Sequence, residues 1–265
     1  MNSNITIIGA GHMATAIVAG LAHAGVDLSR IWITDKNFQK LDALAQQFSV
    51  KTSMDNHAAI KRADIVLLAI KPQSLPAFAA EHQAAFSHMP LIISILSGIP
   101  IAQLTQLLGA MPIVRAMPNI LVSLSQGNTI LFSAEKHNNV EDFFAPLGIV
   151  QWVNEEKQLD AYTILTGCGP GYLFFMMQSI IEAAAALGID EIDAKTAVLQ
   201  LFSGSAQMAM QSPATLIELQ QQVASKGGVT EKILLSLSEN KIPDLFKQAF
   251  LIADAHNQAL QNHKE

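Results

Sequence analysis

Residues 4–22, NITIIGAGHMATAIVAGLA, leave the chain few structural options. A β-branched run enters Gly9-Ala10-Gly11-His12-Met13-Ala14 and leaves as a segment with apolar residues at helical spacing, stopping at Gly25. A G-x-G-x-x-A turn between a strand and a helix is the setting in which dinucleotides are bound. Gly9 permits the tight turn, Gly11 lets backbone approach a pyrophosphate, and Ala14 lets the helix lie close on the strand. His12 is either a donor toward phosphate or a solvated loop histidine. The bland alternative for the whole motif is a tight turn without a ligand.

The strand-then-helix alternation continues. RIWIT, ADIVLLAI, PLIISIL, MPIVRAMPN, NTILFSA and IVQWVN read as strands. NFQKLDALAQQF, residues 73–85, IPIAQLTQLLG and residues 135–148 read as helices. Apolar strands in such alternation predict a mostly parallel, doubly wound sheet covered on both faces. Strand signals stop near residue 155, and five helical segments follow, so we expect a Rossmann domain over 1–157 and an all-α domain over 158–265. LFFMMQSIIEAAAAL is apolar nearly all round and needs cover on every side. About 110 residues of helix rarely provide that internally, which predicts a homo-oligomer joined through the C-terminal helices.

Composition closes other routes. A net charge of −6 with no cluster of Lys and Arg argues against nucleic acid. Residues 90–114 carry no acidic or lysine side chain and are broken by Pro90, Gly98, Pro100, Gly109 and Pro112, which predicts strand, turn and helix instead of a membrane span. The single Cys168 forms no internal disulfide, and a cytoplasmic location is expected. The histidines at 12, 23, 57, 82, 88, 137, 256 and 263 are scattered and suggest no metal site. With no HExxH, Walker A or nucleophile elbow, the chemistry is expected to come from a nicotinamide, NADPH or NADH.

Two positions bear on cofactor choice. Asp35, ending the second strand, either binds both ribose hydroxyls or serves as a turn residue or helix cap. Its neighbour Lys36 suits a 2′-phosphate. Lys71, at the carboxyl edge of the sheet, faces either the cofactor or solvent.

These motifs, taken in order, resemble the pyrroline-5-carboxylate reductase family over nearly the whole chain. IIGAGHMATAI is similar to its G-x-G-N-M-A start, AIKPQ to A-V-K-P-Q, VRAMPN to V-R-A-M-P-N, TGCGPGYLF to S-G-S-G-P-A-Y, and VASKGGVTEKI to V-T-S-P-G-G-T-T. The resemblance implies a Rossmann domain followed by a helical domain interlocking two subunits, a dimer at least, and reduction of 1-pyrroline-5-carboxylate to proline. It places Gly9, Gly11, His12 and Met13 on the phosphate turn and Asn56 on the adenosine side. Ala69, Ile70, Lys71 and Pro72 fall on the A-V-K-P loop, and Met117, Pro118 and Asn119 beside the nicotinamide. Glu156 is implied at the substrate site. Departures are His12 for asparagine, Ile120-Leu121 for Thr-Pro, Lys226 for proline and Val229 for a small residue or threonine.

Within VASKGGVTEKI, the N–H groups of Gly227, Gly228 and Val229 form a natural carboxylate cradle, and the hydroxyl of Thr230 is implied to meet the substrate nitrogen. Ser225 and Lys226 border the same turn. Without the resemblance, Ser225–Thr230 would read as an interhelix turn capped by Ser225. Cys168 is expected to pack within a helix. Two other readings stay open here. One is a β-hydroxyacid dehydrogenase, disfavoured because no lysine lies between Lys157 and Lys195. The other is a non-catalytic NAD(P)-binding regulator.

Overall fold

The structure is a computed structural model that describes residues 3–262. Its first part alternates strands and helices: β1 (Ile5–Ile8), α1 (His12–His23), β2 (Ile31–Thr34), α2 (Phe38–Phe48), β3 (Lys51–Ser53), α3 (Asn56–Lys61) and β4 (Ile65–Leu68). There follow α4 (Leu75–His82), β5 (Leu91–Ser94), α5 (Ile101–Leu108), β6 (Ile113–Pro118), β7 (Gly127–Phe132), α6 (Asn138–Phe144) and β8 (Gly148–Trp152). The rest is helical: α7 (Gln158–Tyr162), a π-helical turn Thr163–Gly167, α8 (Gly169–Ala185), α9 (Glu191–Gln211), α10 (Leu216–Val223), α11 (Val229–Glu239) and α12 (Ile242–Asn262).

The eight strands form one sheet in the order β3-β2-β1-β4-β5-β6-β7-β8. Every pairing is parallel except β6 with β7. This is the doubly wound α/β architecture expected from the sequence. β1, β4, β5 and β6 are buried at every residue, because helices cover both faces. Strand alternation sends Ile5, Ile7, Ile65 and Leu67 into one core with Ile17 and Leu21 of α1. Val66, Leu68 and Ile92 go into the other, with Leu75 and Phe78 of α4 and Leu104 of α5. Thr6 is the polar exception in β1, and its buried hydroxyl donates to the Ala59 carbonyl at 2.9 Å.

The edge strand β3 and the short α3 have no counterpart in the sequence reading. Lys51, Thr52 and Ser53 lack the apolar run that announces a strand, and α3 is set by a local device, the Asp55 carboxylate accepting the Ala58 N–H at 2.9 Å. Residues 90–114 are divided among β5, α5 and the start of β6, as their prolines and glycines predict.

The chain divides into two compact units, one running to Pro170 and taking in the stretch from Asp254, the other Gly171–Ala253. In the second unit Ile181, Ala194 and Val198 form a small core with Met177, Ala184 and Phe202. Most of its apolar side chains are uncovered: Phe175 is 73% exposed, Ile192 76% and Met210 76%. Exposed apolar surface on this scale marks a face that another chain covers. One continuous helical stretch, Gln158–Ala185, is long and apolar enough by length and composition to cross a membrane.

Candidate functional site

In the first unit the strand order reverses between β1 and β4, and ligands of open α/β sheets bind at such a switch point. A cleft of about 550 Å³ opens there, at the carboxyl ends of β1, β2 and β4. It brings together eight residues singled out from the sequence: Gly9, Gly11, Asp35, Lys36, Asn56, Ala69, Ile70 and Lys71.

The glycine turn is shaped by close backbone approach. Gly9 has φ +103°, and a Cβ on it would lie 2.6 Å from the Ala69 carbonyl oxygen, so the crossing of β1 past β4 excludes any side chain. A Cβ on Gly11 would meet only that same oxygen, at 4.0 Å, so bare backbone there opens on space. Gly11 is also the N-cap of α1, and no side chain caps the helix. An uncapped helix start behind a glycine turn fits a pyrophosphate.

Asp35 lines the cleft directly after β2. One carboxylate oxygen accepts the Ala10 N–H at 2.8 Å and the other accepts the Asn37 N–H at 2.8 Å. The carboxylate therefore braces the glycine turn from β2, and Asn37 caps α2 by accepting from the Lys40 N–H. Lys36 and Lys71 are exposed at the cleft, and Pro72 opens a short 3-10 turn directly after Lys71.

Other expected cofactor residues are not in the lining of this cleft. His12 is exposed at the first position of α1, outside the cleft lining. The Met13 side chain packs against the core, because helical periodicity turns it inward from the phosphate turn. Met117 is buried with Ile130 and Leu159, and Pro118 is buried at the end of β6. Asn119 is 6% exposed, and its amide is committed to the fold: Nδ2 donates to the Thr166 carbonyl at 3.1 Å, and Oδ1 accepts the Asn128 N–H at 3.3 Å. Its side chain ties β6 to β7 and the π-helical turn.

Glu156, implied at the substrate site, has a structural occupation. Its Oε1 accepts from Arg115 Nη1 at 2.9 Å and from the Ile101 N–H at 2.8 Å. Arg115, in β6, is 4% exposed, and its Nη2 is buried with no partner. In the sequence Arg115 stands within VRAMPN. A charged residue in an otherwise apolar strand was the available signal, since a buried charge requires an anion.

In the sequence His82 is one of several scattered histidines. It is 6% exposed at the end of α4, lines the cleft, and places Nε2 at 3.3 Å from Asn56 Nδ2. Burial holds its pKa below the usual histidine range against the opposing pull of the Glu81 carboxylate.

The turn Ser225–Thr230, in the second unit, bonds within itself. The Gly227 N–H donates to Glu231 Oε2 at 2.6 Å, and the Gly228 N–H donates to the Ser225 carbonyl at 2.9 Å. Two of the three expected cradle amides are thus occupied within the loop. Gly227 is required by φ +77°, and a Cβ on Gly228 would lie 2.6 Å from Ser225 Oγ. The cap of α11 is Gly228, not Ser225, and Glu231 takes the third helical position from which a carboxylate reaches back past the cap. Ser225, Lys226 and Val229 are exposed, and Thr230 is half-buried on the first turn of α11. Cys168, expected to pack within a helix, is exposed just before α8.

Among the described residues no group of three or more His, Cys, Asp or Glu is placed to hold a metal, and His263 lies outside them.

Comparison with known proteins bears on both parts of the chain. Residues 4–98 match the family model "NADP oxidoreductase coenzyme F420-dependent", and residues 156–260 match "Pyrroline-5-carboxylate reductase dimerisation". The pyrroline-5-carboxylate reductase of Pseudomonas aeruginosa is 34% identical over 262 residues, covering 97% of this chain and 96% of its own. A pyrroline-5-carboxylate reductase structure from Coxiella burnetii superimposes with a TM-score of 0.90 at 35% identity, covering 98% of this chain and 99% of that one. The Plasmodium falciparum pyrroline carboxylate reductase structure with NADP bound gives a TM-score of 0.87 at 26% identity, covering 98% of each chain.

Proposed function

The chain belongs to the pyrroline-5-carboxylate reductase family, and on that premise we propose how its own residues serve the reaction. The activity is reduction of the cyclic imine of 1-pyrroline-5-carboxylate to L-proline, in proline biosynthesis, by an NAD(P)H-dependent oxidoreductase. The bound nicotinamide supplies the hydride. The protein's share is to hold both reactants and place hydrogen-bonding groups.

One observation carries the cofactor assignment. At the topological switch point, Gly9 admits no side chain and Gly11 leaves bare backbone before an uncapped helix. Asp35 spends both oxygens on backbone amides while Lys36 stands exposed in the same cleft. Lys36 there suits a 2′-phosphate, and so NADPH, and each Asp35 oxygen keeps a lone pair for a ribose hydroxyl. Lys71 adds a second cation at the same cleft.

On the acceptor side, the turn Ser225–Thr230 holds the substrate, with the Thr230 hydroxyl bonding the ring nitrogen as it becomes an amine. The substrate carboxylate takes the place of the Glu231 carboxylate at the Gly227 N–H, with Lys226 beside it. Residues 1–157 then act as the dinucleotide domain and 158–265 as the domain for dimerisation and substrate. The dimerisation model over 156–260 and the exposed apolar helices support that division. A cytoplasmic homodimer is consistent with the single cysteine.

The test follows NADPH and NADH oxidation with pyrroline-5-carboxylate. Turnover is expected, and Thr230→Ala should lower kcat/KM about tenfold by removing a transition-state hydrogen bond. Unchanged kinetics would remove Thr230 from the mechanism, and cofactor binding without turnover would make the chain a non-catalytic binder.

A further inference from the structure

Asn56 and His82 come from different helices, 26 residues apart, and meet at the cleft beside the carboxyl end of β2. Dinucleotide folds read the adenosine ribose at that end of the second strand. In the orientation the amide takes here, Asn56 Nδ2 donates to His82 Nε2 at 3.3 Å. The imidazole is then neutral with its proton on Nδ1. Among the described residues two atoms of the pair are buried without partners, His82 Nδ1 and Asn56 Oδ1. Buried polar groups left unbonded are rare, and each calls for an explanation. A ligand at the adenosine end, with hydroxyl or amino donors, answers the need at Asn56.

We propose that His82 is a positioning residue for nucleotide binding, which fixes by its hydrogen bond the face that the Asn56 amide turns toward the adenosine end of the cofactor. The inference rests on the assignment of this cleft to the dinucleotide. His82 does not act alone on charge. Glu81 Oε1 lies 3.7 Å from its Nε2, and Asp55, His57 and Lys36 act on it from α3 and from the turn after β2. Asp35, Lys40 and Lys71 line the same cleft. Protonation puts a second N–H on Nε2, facing the Nδ2 donor of Asn56. Two donors repel, and the amide relieves this by reversing, so that Oδ1 accepts from Nε2 and Nδ2 takes its former place. The cofactor then meets donors where it had met an acceptor, and binding weakens.

The test is the dissociation constant of NADH for the full-length protein, by fluorescence titration between pH 5 and 8. NADH is the probe because the 2′-phosphate of NADPH titrates in the same range. Wild type should lose about fivefold in affinity on acidification, the equilibrium worth of one hydrogen bond. His82→Gln, which cannot titrate but keeps hydrogen-bonding atoms, should bind as wild type at pH 8 and lose that acid step. His82→Phe should bind about fivefold more weakly at pH 8 with no step. For both variants kcat at saturating cofactor should stay within about twofold of wild type, since a positioning bond at the adenosine end acts on KM.

An acid step of equal size in His82→Gln, or wild-type affinity in His82→Phe, would overturn the proposal. If His82→Phe does not fold, the pH profile of His82→Gln decides alone. Because NADH binding needs no turnover, failure to reduce pyrroline-5-carboxylate would sink the assigned reaction and leave this inference standing. Failure of wild type to bind either NADH or NADPH would sink both.

Discussion

Truncating Glu156 to alanine strands Arg115. The guanidinium side chain is 5% exposed, and among the described residues its anionic partner is Glu156 Oε1 at 2.9 Å. Among the described residues its other terminal nitrogen, Nη2, is buried without a partner. Removing one member of a buried ion pair costs about 3–5 kcal/mol, because the remaining charge stays desolvated. The Glu156 side chain is 28% exposed, so water reaches part of the vacated space, and the low end, about 3 kcal/mol, applies. The Ile101 N–H loses its acceptor as well, at the start of a helix that has no side-chain cap, which adds about 0.5–1 kcal/mol.

At about 2–4 °C per kcal/mol for a chain of this size, Tm should fall by about 10 °C. Glu156→Gln keeps an oxygen for both donors and loses only the charge, so its cost should be about 1–2 kcal/mol. The double variant Arg115→Met/Glu156→Leu removes both charges and should lie close to wild type, as paired replacements of buried ion pairs do. The assay is thermal unfolding by circular dichroism at one fixed protomer concentration, since association shifts Tm, run beside steady-state kinetics. A substrate ligand would behave in the opposite way. If Glu156→Ala raised KM for pyrroline-5-carboxylate with Tm lowered by less than about 2 °C, the structural role argued for Glu156 would be refuted.

Gly9→Ala places a Cβ 2.6 Å from the Ala69 carbonyl at φ +103°, so the turn must open. NADPH affinity by fluorescence titration should fall at least about tenfold, with a stability loss of about 1–3 kcal/mol, and near-normal binding would contradict the close approach of β1 and β4. Stability should also report His82. Its folded pKa is lowered, so the unfolded chain binds the extra proton first as pH drops through the usual histidine range. Stability is therefore full above that range and falls as pH moves down toward the folded pKa. The drop in Tm between pH 7.5 and 5.5 should be smaller in His82→Gln than in wild type, and an equal drop would place the titration elsewhere.

The glycine turn and the apolar strands were legible because each is a local pattern. Gly9-x-Gly11-x-x-Ala14 sits inside one strand-turn-helix unit, and β1, β4 and β5 are continuous apolar runs that only a sheet covered on both faces accommodates. The helical region after residue 155 and its need for outside cover were legible for the same reason, and the dimerisation match agrees. What no linear motif carries is the set of protein partners each side chain acquires. In the folded chain Asp35 accepts backbone N–H groups at both oxygens, Glu156 accepts from Arg115 and Ile101 at Oε1, and Asn119 accepts from Asn128 at Oδ1.

The sequence by itself therefore determined the class of fold, the glycine turn and the motifs that place the chain in its family, since these depend on residues near one another along the chain. Only the tertiary structure decided which polar groups meet. Ala10 with Asp35, Asn56 with His82 and Arg115 with Glu156 are separated by 25, 26 and 41 residues. Those pairings follow from strand order and helix placement, which bring distant segments to one edge of the sheet, and no local period encodes them. The same holds for VASKGGVTEKI. The paired glycines were visible in the sequence, but that one is set by a left-handed φ and the other by the closeness of Ser225 is a matter of the folded loop.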